Sequence, residues 1–512
     1  MKTKLGPVLI YVSSTNTTWN CRAVFVFSDV SNPPPAVTCD SGGGKKSSIK
    51  TVKGLMLLDY RGDQIWSYDL SFVRGAADQP RSYGLANETQ YQLVVPAKGN
   101  TPHFAYGSCC GFSDWNDKTK LENQERDPWG QWKDLAAAHA TQPFHLLLLG
   151  GDQIYMDSLW SAEPLLEWRQ KLRRFQARYQ WDPDGPYDQQ ARQGFMDIYV
   201  SNWSREGMAG VLATIPSIMM WDDHDICDGW GSHPDDVQSF PVMQGLFGVA
   251  RDYFQALQLG QPPGAVPANG IGPAGQFSSL HFLGDVALLV LDLRSFRTRD
   301  KVLFTAAEWS LFFEQLKQRW PAGKKVRHLL VMSSVPVVYV SGPSDLTGLW
   351  NWDPVTDPQD DLIDQWSDHR HQHEREILVR GLLQFSRTKK VRVTLVCGDV
   401  HLGTLGIIES TRDEDQGSSS RIITQLVSSG VVNAAPAGLV LWAIQQALGS
   451  PQTICRHVTG ETVPLGDGLP RVLAARNWLS LRPSAGTAGD LVAEWHVEGT
   501  KSYPPKTITR VD

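Results

Sequence analysis

The sequence predicts an α/β protein built in layers, preceded by a small all-β sandwich of immunoglobulin or fibronectin type. Three observations carry this. From about residue 103 to 410, apolar strand-like segments alternate with helical stretches, the signature of helices packed on sheets. Residues 1–98 instead hold only short β-branched segments between Pro, Gly, Ser and Asn clusters, as all-β sandwiches do. And four of the strand-like segments end abruptly in Cys, Asp, Tyr or His, where layered α/β folds build their sites.

The N-terminal strands are read from "GPVLIYV", "RAVFVFS", "KGLMLLDY" and "TQYQLVVP", with "SGGGKKSSIK" (41–50) a loop among them. The opening "MKTKLGPVLIYVSST" has two lysines before an apolar stretch, but it is short and carries Pro7, so it is assigned to a first strand and not to a signal peptide. "PAKGNTP" (96–102) is the expected boundary. It divides a sandwich domain (1–100) from a catalytic domain (101–512). Beyond it, strands are expected at "HFAYGS", "FHLLLL", "IPSIMMW", "VALLVLD", "RHLLVMSS" and "VRVTLVC". Helices are expected at "WGQWKDLAAAHA", "LFGVARDYFQALQ", "AAEWSLFFEQLKQRW" and "QHEREILVRGLLQFS". The segment "NWLSLRPSAGTAGDLVAEWHVEG" reads as a terminal β-hairpin.

Composition excludes several classes. A chain of 512 residues with 41% hydrophobic and 20% charged residues is globular, and no run reaches the ~20 apolar residues of a membrane span. A net charge of −6 argues against nucleic acid as the main partner. Seven scattered cysteines form no disulfide framework, although Cys21 and Cys39 lie near enough in sequence to pair. The expected setting is cytoplasmic. "DWNDKTKLENQE" begins and ends like a calcium loop, but Thr119 stands where such a loop needs glycine. Neither a phosphate loop nor a nucleophile elbow occurs.

The strand ends carry the chemistry. "FAYGSCCG" ends in Cys109 and Cys110; "LLLLGGDQIYMD" in Asp152, Tyr155 and Asp157; "IMMWDDHD" in Asp222, Asp223, His224 and Asp225; "TLVCGDVHLG" in Asp399 and His401. Singly, each has an ordinary explanation: Gly-Asp is turn chemistry, a lone Cys a small buried hydrophobe, and an acidic stretch a helix start. Together they are a ligand set. Several carboxylates at one rim cannot all ionise without positive charge nearby, and a metal cluster supplies it. Hard cations prefer oxygen ligands, while a thiolate and a phenolate together favour a ferric-type or similar transition metal.

"GSCC", "GGDQIYMD", "WDDHDICDGWG", "LVLDLRSFRT" and "CGDVHLG", in this order, resemble the alkaline phosphatase D (PhoD) family of metallophosphatases over roughly residues 103–410. The resemblance implies a metallo-dependent phosphatase fold, a two-sheet β-sandwich flanked by helices, with ferric iron and calcium as cofactors. Other divalent metals stay compatible. By that resemblance Cys109 and Tyr155 bind iron, and Asp152 bridges metals. Asp223, Asp399 and His401 are further ligands, and His224 touches the phosphate or the leaving group. Arg294, in "LDLRSFR", matches a recurrent Asp-x-Arg, as either a phosphate contact or a structural ion pair. Adjacent Cys109 and Cys110 leave open which one faces the metals; alternation allows one. His369, His371 and His373 spread over different faces of an expected helix and are assigned to a solvated face or the substrate mouth.

The function implied is metal-dependent hydrolysis of a small-molecule phosphoric ester. Two alternatives are a hydrolase of another ester class and an inactive binding protein on the same scaffold. The leaving group and the oligomeric state stay open. Segments 159–210 and 340–370 are expected to shape the mouth. Their Trp160, Trp168, Trp181, Trp350 and Trp352 either stack on substrate or pack a lid.

Overall fold

The structure is a computed structural model, and it describes all residues except 31–33, 43–48, 114, 172, 324–325, 341–359, 416, 500–502 and 512. Its centre is two facing sheets. In the first, three short parallel strands, Phe104–Gly107, Leu146–Gly150 and Ser217–Met220, lie side by side in a ten-stranded sheet. In the second, of nine strands, Val286–Val290, His328–Ser333, Arg392–Cys397 and Ile422–Val427 run parallel.

The strands read as unbroken apolar runs because both faces are covered. Along "LLLL", Leu146 and Leu148 face the layer between the sheets, with Tyr106, Met220, Leu288, Met332 and Val396. Leu147 and Leu149 face outward onto a helical layer with Trp132, Phe195, Trp203 and Leu246. On the other side, helices Ala306–Arg319 and Gln372–Lys389 cover the second sheet through Trp309, Phe312, Leu378 and Leu382. The first of these starts on a capping box, Thr305 with Glu308. The expected terminal hairpin forms from Asn477–Pro483 and Leu491–Val497, and its first strand pairs with Phe104–Gly107.

The N-terminal region requires a correction. Two leaves do face each other there, but they do not close into a separate domain. Lys2–Ser14 pairs in parallel with Ser217–Met220, and Thr18–Ser28, Asp63–Val73 and Leu55–Tyr60 follow it, so this leaf extends the central sheet. Only the Ile49–Val52, Val37–Asp40, Gln79–Leu85 and Tyr91–Val95 strands make a sheet of their own. Phe25, Phe27, Tyr68 and Tyr83 share one apolar core with Leu148 and Leu288. The boundary at 96–102 is a change of composition and not a break in packing. Deleting residues 1–100 would uncover one edge of Ser217–Met220 and that core. The expected outcome is insoluble protein, read by size-exclusion chromatography; a soluble, monomeric 101–512 fragment would contradict the shared core.

Cys21 and Cys39 are buried free thiols and not a disulfide. No helix among the described residues is long and apolar enough to cross a membrane.

Candidate metal centre

The carboxyl ends of these strands converge, and the backbone there is bent out of the ordinary. Cys109, Asp152, Asp399 and His401 all have left-handed φ, at 56°, 55°, 70° and 52°. Such conformations are uncommon outside glycine and collect at functional sites. In three of the four segments the chain turns two residues beyond the strand's last residue, at Cys109, Asp152 and Asp399 themselves. The glycines before Asp152 make room for this. A Cβ on Gly150 would strike the Tyr106 hydroxyl, and one on Gly151, itself at φ 111°, would meet the Asp222 Cβ at 2.7 Å.

Four carboxylates, Asp152, Asp222, Asp223 and Asp399, offer oxygens that all lie within 4.8 Å of one another. Asp152, Asp223 and His224 form an overlapping group at the same spacing. The thiol and phenol stand at the edge of this cluster: Cys109 Sγ is 3.4 Å from Asp152 Oδ2 and 3.0 Å from Ser429 Oγ, and the Tyr155 hydroxyl is 3.4 Å from Asp152 Oδ2. Cys110 points away, into the apolar core under the helices. Of the two cysteines, Cys109 is the one that faces the carboxylates. His224 stacks on Tyr155, centroids 4.2 Å apart, and its Nδ1 lies 2.9 Å from Asp157 Oδ2.

A family profile described as PhoD related phosphatase matches residues 86–344 and 346–458. The chain belongs to the PhoD-related phosphatase family. It is also 26% identical over 467 residues to the uncharacterized protein YGR266W of Saccharomyces cerevisiae, covering 75% of this chain. It spans 65% of that relative's length. A solved structure of PhoD matches with a TM-score of 0.57 at 12% identity, covering 98% of this chain and 88% of that one, which establishes a PhoD-like fold.

Within this PhoD-like fold the residues singled out in the sequence do meet at one rim, with two differences. Arg294 is fully buried and its guanidinium is enclosed by acceptors. It bonds Asp222, Asp223 at 3.3 Å, Asp364 at 2.7 and 2.9 Å, and the Trp230 carbonyl at 2.9 Å. That is the ion-pair alternative, with no nitrogen left to face a substrate. His401 is half-buried on the turn after Asp399 but outside the groups of closely spaced donors; burial and the neighbouring His224 hold its imidazole down at about 4, hence neutral.

Asp222 and Asp157 stood among the strand-end residues without an individual role; the structure puts Asp222 in the cluster and Asp157 against His224. Sequence reasoning missed Asp364, which arrives from a distant segment without a local pattern. Asp225 is structural: its carboxylate accepts the backbone N–H groups of Asp152 and Asp222, each at 2.9 Å, and so fixes the two turns to each other.

Only His373 of the histidine tract lies within the helix Gln372–Lys389; His371 is its N-cap and His369 precedes it. His369 and His373 are exposed, whereas His371 is buried with Nδ1 2.9 Å from the Gln365 carbonyl. Trp160 and Trp168 are core residues and Trp181 lies against Gly245; Trp350 and Trp352 fall outside the described residues.

The donor set fits metal ions. Asp152 Oδ1 and Asp222 Oδ2 are buried without a partner, in the middle of the carboxylate cluster. Leaving buried oxygens unmatched costs about 1–3 kcal/mol each, and more when charged. Burial, with Asp223 and Asp222 close by, pushes the Asp152 carboxyl well above the usual range; burial and the same neighbours do so for Asp399. Burial raises Asp222 to about 6 despite Arg294. Cations would reverse these shifts.

The linkage has a definite sign. A carboxyl whose folded pKa exceeds its unfolded value favours the fold below that unfolded value and loses the contribution as pH rises through the folded one. Chelator-treated protein should therefore lose stability between pH 4 and 7 in denaturant titrations, and added metal should flatten the slope. A metal-free protein equally stable at both ends would contradict the unpaired cluster.

Proposed function

We propose that the protein is a metal-dependent hydrolase of small phosphoric esters. The observation that carries this is the cluster of four carboxylates with unmatched buried oxygens, flanked by Cys109 and Tyr155. Asp152, Asp222, Asp223 and Asp399 would hold the ions, with Cys109 and Tyr155 on iron, calcium at the carboxylates, and His401 at the margin. Bound there, such ions supply Lewis acidity to a phosphoryl oxygen and lower the pKa of water.

The chain's own part is clearest at His224. Burial opposes its charge, but Asp157, Asp228 and Asp223 outweigh it and hold its pKa well above the ordinary value. Its charged form is thus favoured in the metal-free site, and it stands partly exposed at the rim, oriented by Asp157. In this reading it stabilises the negative charge of the phosphoryl group or gives a proton to the departing ester oxygen as the P–O bond breaks. His224→Asn should lower kcat by roughly 10²–10⁴-fold while metal content, measured on the same sample, stays unchanged. Loss of metal alongside activity would make His224 a ligand, as its grouping with Asp152 and Asp223 also allows.

The test of the reading is elemental analysis with a visible spectrum and hydrolysis of para-nitrophenyl phosphate. Iron with calcium, and a tyrosinate-to-iron band abolished by Tyr155→Phe, would support it. Cys109→Ala with full iron occupancy would remove the thiolate from the ligand set. Loaded protein that hydrolyses no phosphate ester would move the reading to another ester class.

A further inference from the structure

A fifth strand end reaches the rim of the metal centre. Ile422–Val427 runs parallel to Arg392–Cys397, so it stops at the same edge, and Ser428, Ser429 and Gly430 follow it. This turn is pinned from several sides. The Ser428 N–H bonds the Cys397 carbonyl at 3.0 Å, and its Oγ donates to Asn477 Oδ1 at 2.6 Å. Asn477 Nδ2 donates in return to the Ser429 carbonyl at 2.9 Å. Beyond the turn, the Val431 and Val432 N–H groups bond the Ser108 and Cys109 carbonyls, each at 3.1 Å. Gly430 has φ 77°, and a Cβ there would meet the Asn433 carbonyl oxygen at 2.6 Å, so the reversal calls for glycine.

Ser429 is fully buried, and its Oγ lies 3.0 Å from Cys109 Sγ. The direction of that bond follows from a second contact. The His401 N–H donates to Ser429 Oγ at 3.0 Å, so the oxygen accepts there and its single proton is left for the sulfur. Ser108 Oγ stands further away, 3.6 Å from the sulfur, and its proton goes to the Ser428 carbonyl at 3.3 Å. Among the described residues, Ser429 is thus the hydroxyl donor to this sulfur.

We infer that Ser429 is a positioning residue for the metal: it donates its hydroxyl proton to the Cys109 sulfur, aims that sulfur at the carboxylates and damps its electron donation to a bound transition metal. The inference rests on the thiolate ligand of the function proposed above and not on the ester hydrolysed. Hydrogen bonds to a ligating sulfur tune the metal it holds, and such outer partners also orient the ligand.

The experiment fills chelator-treated, full-length protein with Co2+, whose sulfur-to-metal charge-transfer band in the near ultraviolet reports on the thiolate. Cys109→Ala identifies that band by its loss. A sulfur without its hydrogen bond gives up electrons more readily. Ser429→Ala should therefore move the band to longer wavelength and weaken Co2+ binding by roughly 10–100-fold. Ser429→Thr, which keeps the hydroxyl, should restore both. A band unmoved in Ser429→Ala overturns the inference and leaves Ser429 as an anchor for the His401 N–H alone. So does a shift that Ser429→Thr reproduces, since packing would then be its cause. Hydrolysis of para-nitrophenyl phosphate by the untreated protein separates this inference from the catalytic reading. Hydrolysis without any Cys109-dependent band overturns the inference and spares that reading. A band that shifts as expected, in a protein that hydrolyses no phosphate ester, does the reverse.

Discussion

An Asp152→Asn protein should lose metal and hydrolysis together. Asp152, like Asp223, belongs to both groups of closely spaced donors at the centre, and its Oδ2 also faces the Cys109 thiol and the Tyr155 phenol. An amide there keeps the size and removes the charge, so the fold should persist: the Asp152 backbone N–H still bonds Asp225. Losing a first ligand exceeds the 10–100-fold effects of outer partners, and turnover should fall by roughly a thousandfold or more. Elemental analysis and circular dichroism on one preparation decide it. A folded variant with full metal and normal turnover would remove the carboxylate cluster from the chemistry.

Arg294→Met should be the most destabilising single change at the rim. Arg294 has no exposed surface and balances Asp222, Asp223 and Asp364 at once. Against burial, Arg294 and Arg297 hold the Asp364 carboxyl below the usual range, so it is an anion that depends on them. Removing one partner of a buried pair leaves uncompensated charge, at a cost of about 3–5 kcal/mol. Urea denaturation should show that loss, and added metal should recover part of it by neutralising Asp222 and Asp223. Unchanged stability with a raised KM would instead return Arg294 to the role of a phosphate contact.

What could be read in advance follows physical lines. The strand ends were legible because a buried strand is an apolar run that must stop, and "LLLLGGD" and "TLVCGD" stop on residues with no place in a core. The ligand types were legible for the same reason. The merging of the N-terminal leaf with the central sheet was not, because the pairing of Ile10 with Ser217 leaves no trace in either local pattern. The enclosure of Arg294 was hidden likewise: Asp364 comes from 70 residues further along the chain. The choice of Cys109 over Cys110 needed the backbone, since a left-handed turn at Cys109 sets which thiol faces Asp152.

The order of strands in the first sheet has a consequence for how the molecule is made. Phe104–Gly107 has Asn477–Pro483 on one side, and Ser217–Met220 on the far side of Leu146–Gly150 pairs with Lys2–Ser14. A nascent chain emerging from the ribosome cannot complete this sheet until Asn477–Pro483 has been synthesised. Early strands must wait with open edges and unsatisfied apolar faces, and closing such distant contacts is slow. Assembly of the first sheet thus depends on contacts between segments far apart in the chain.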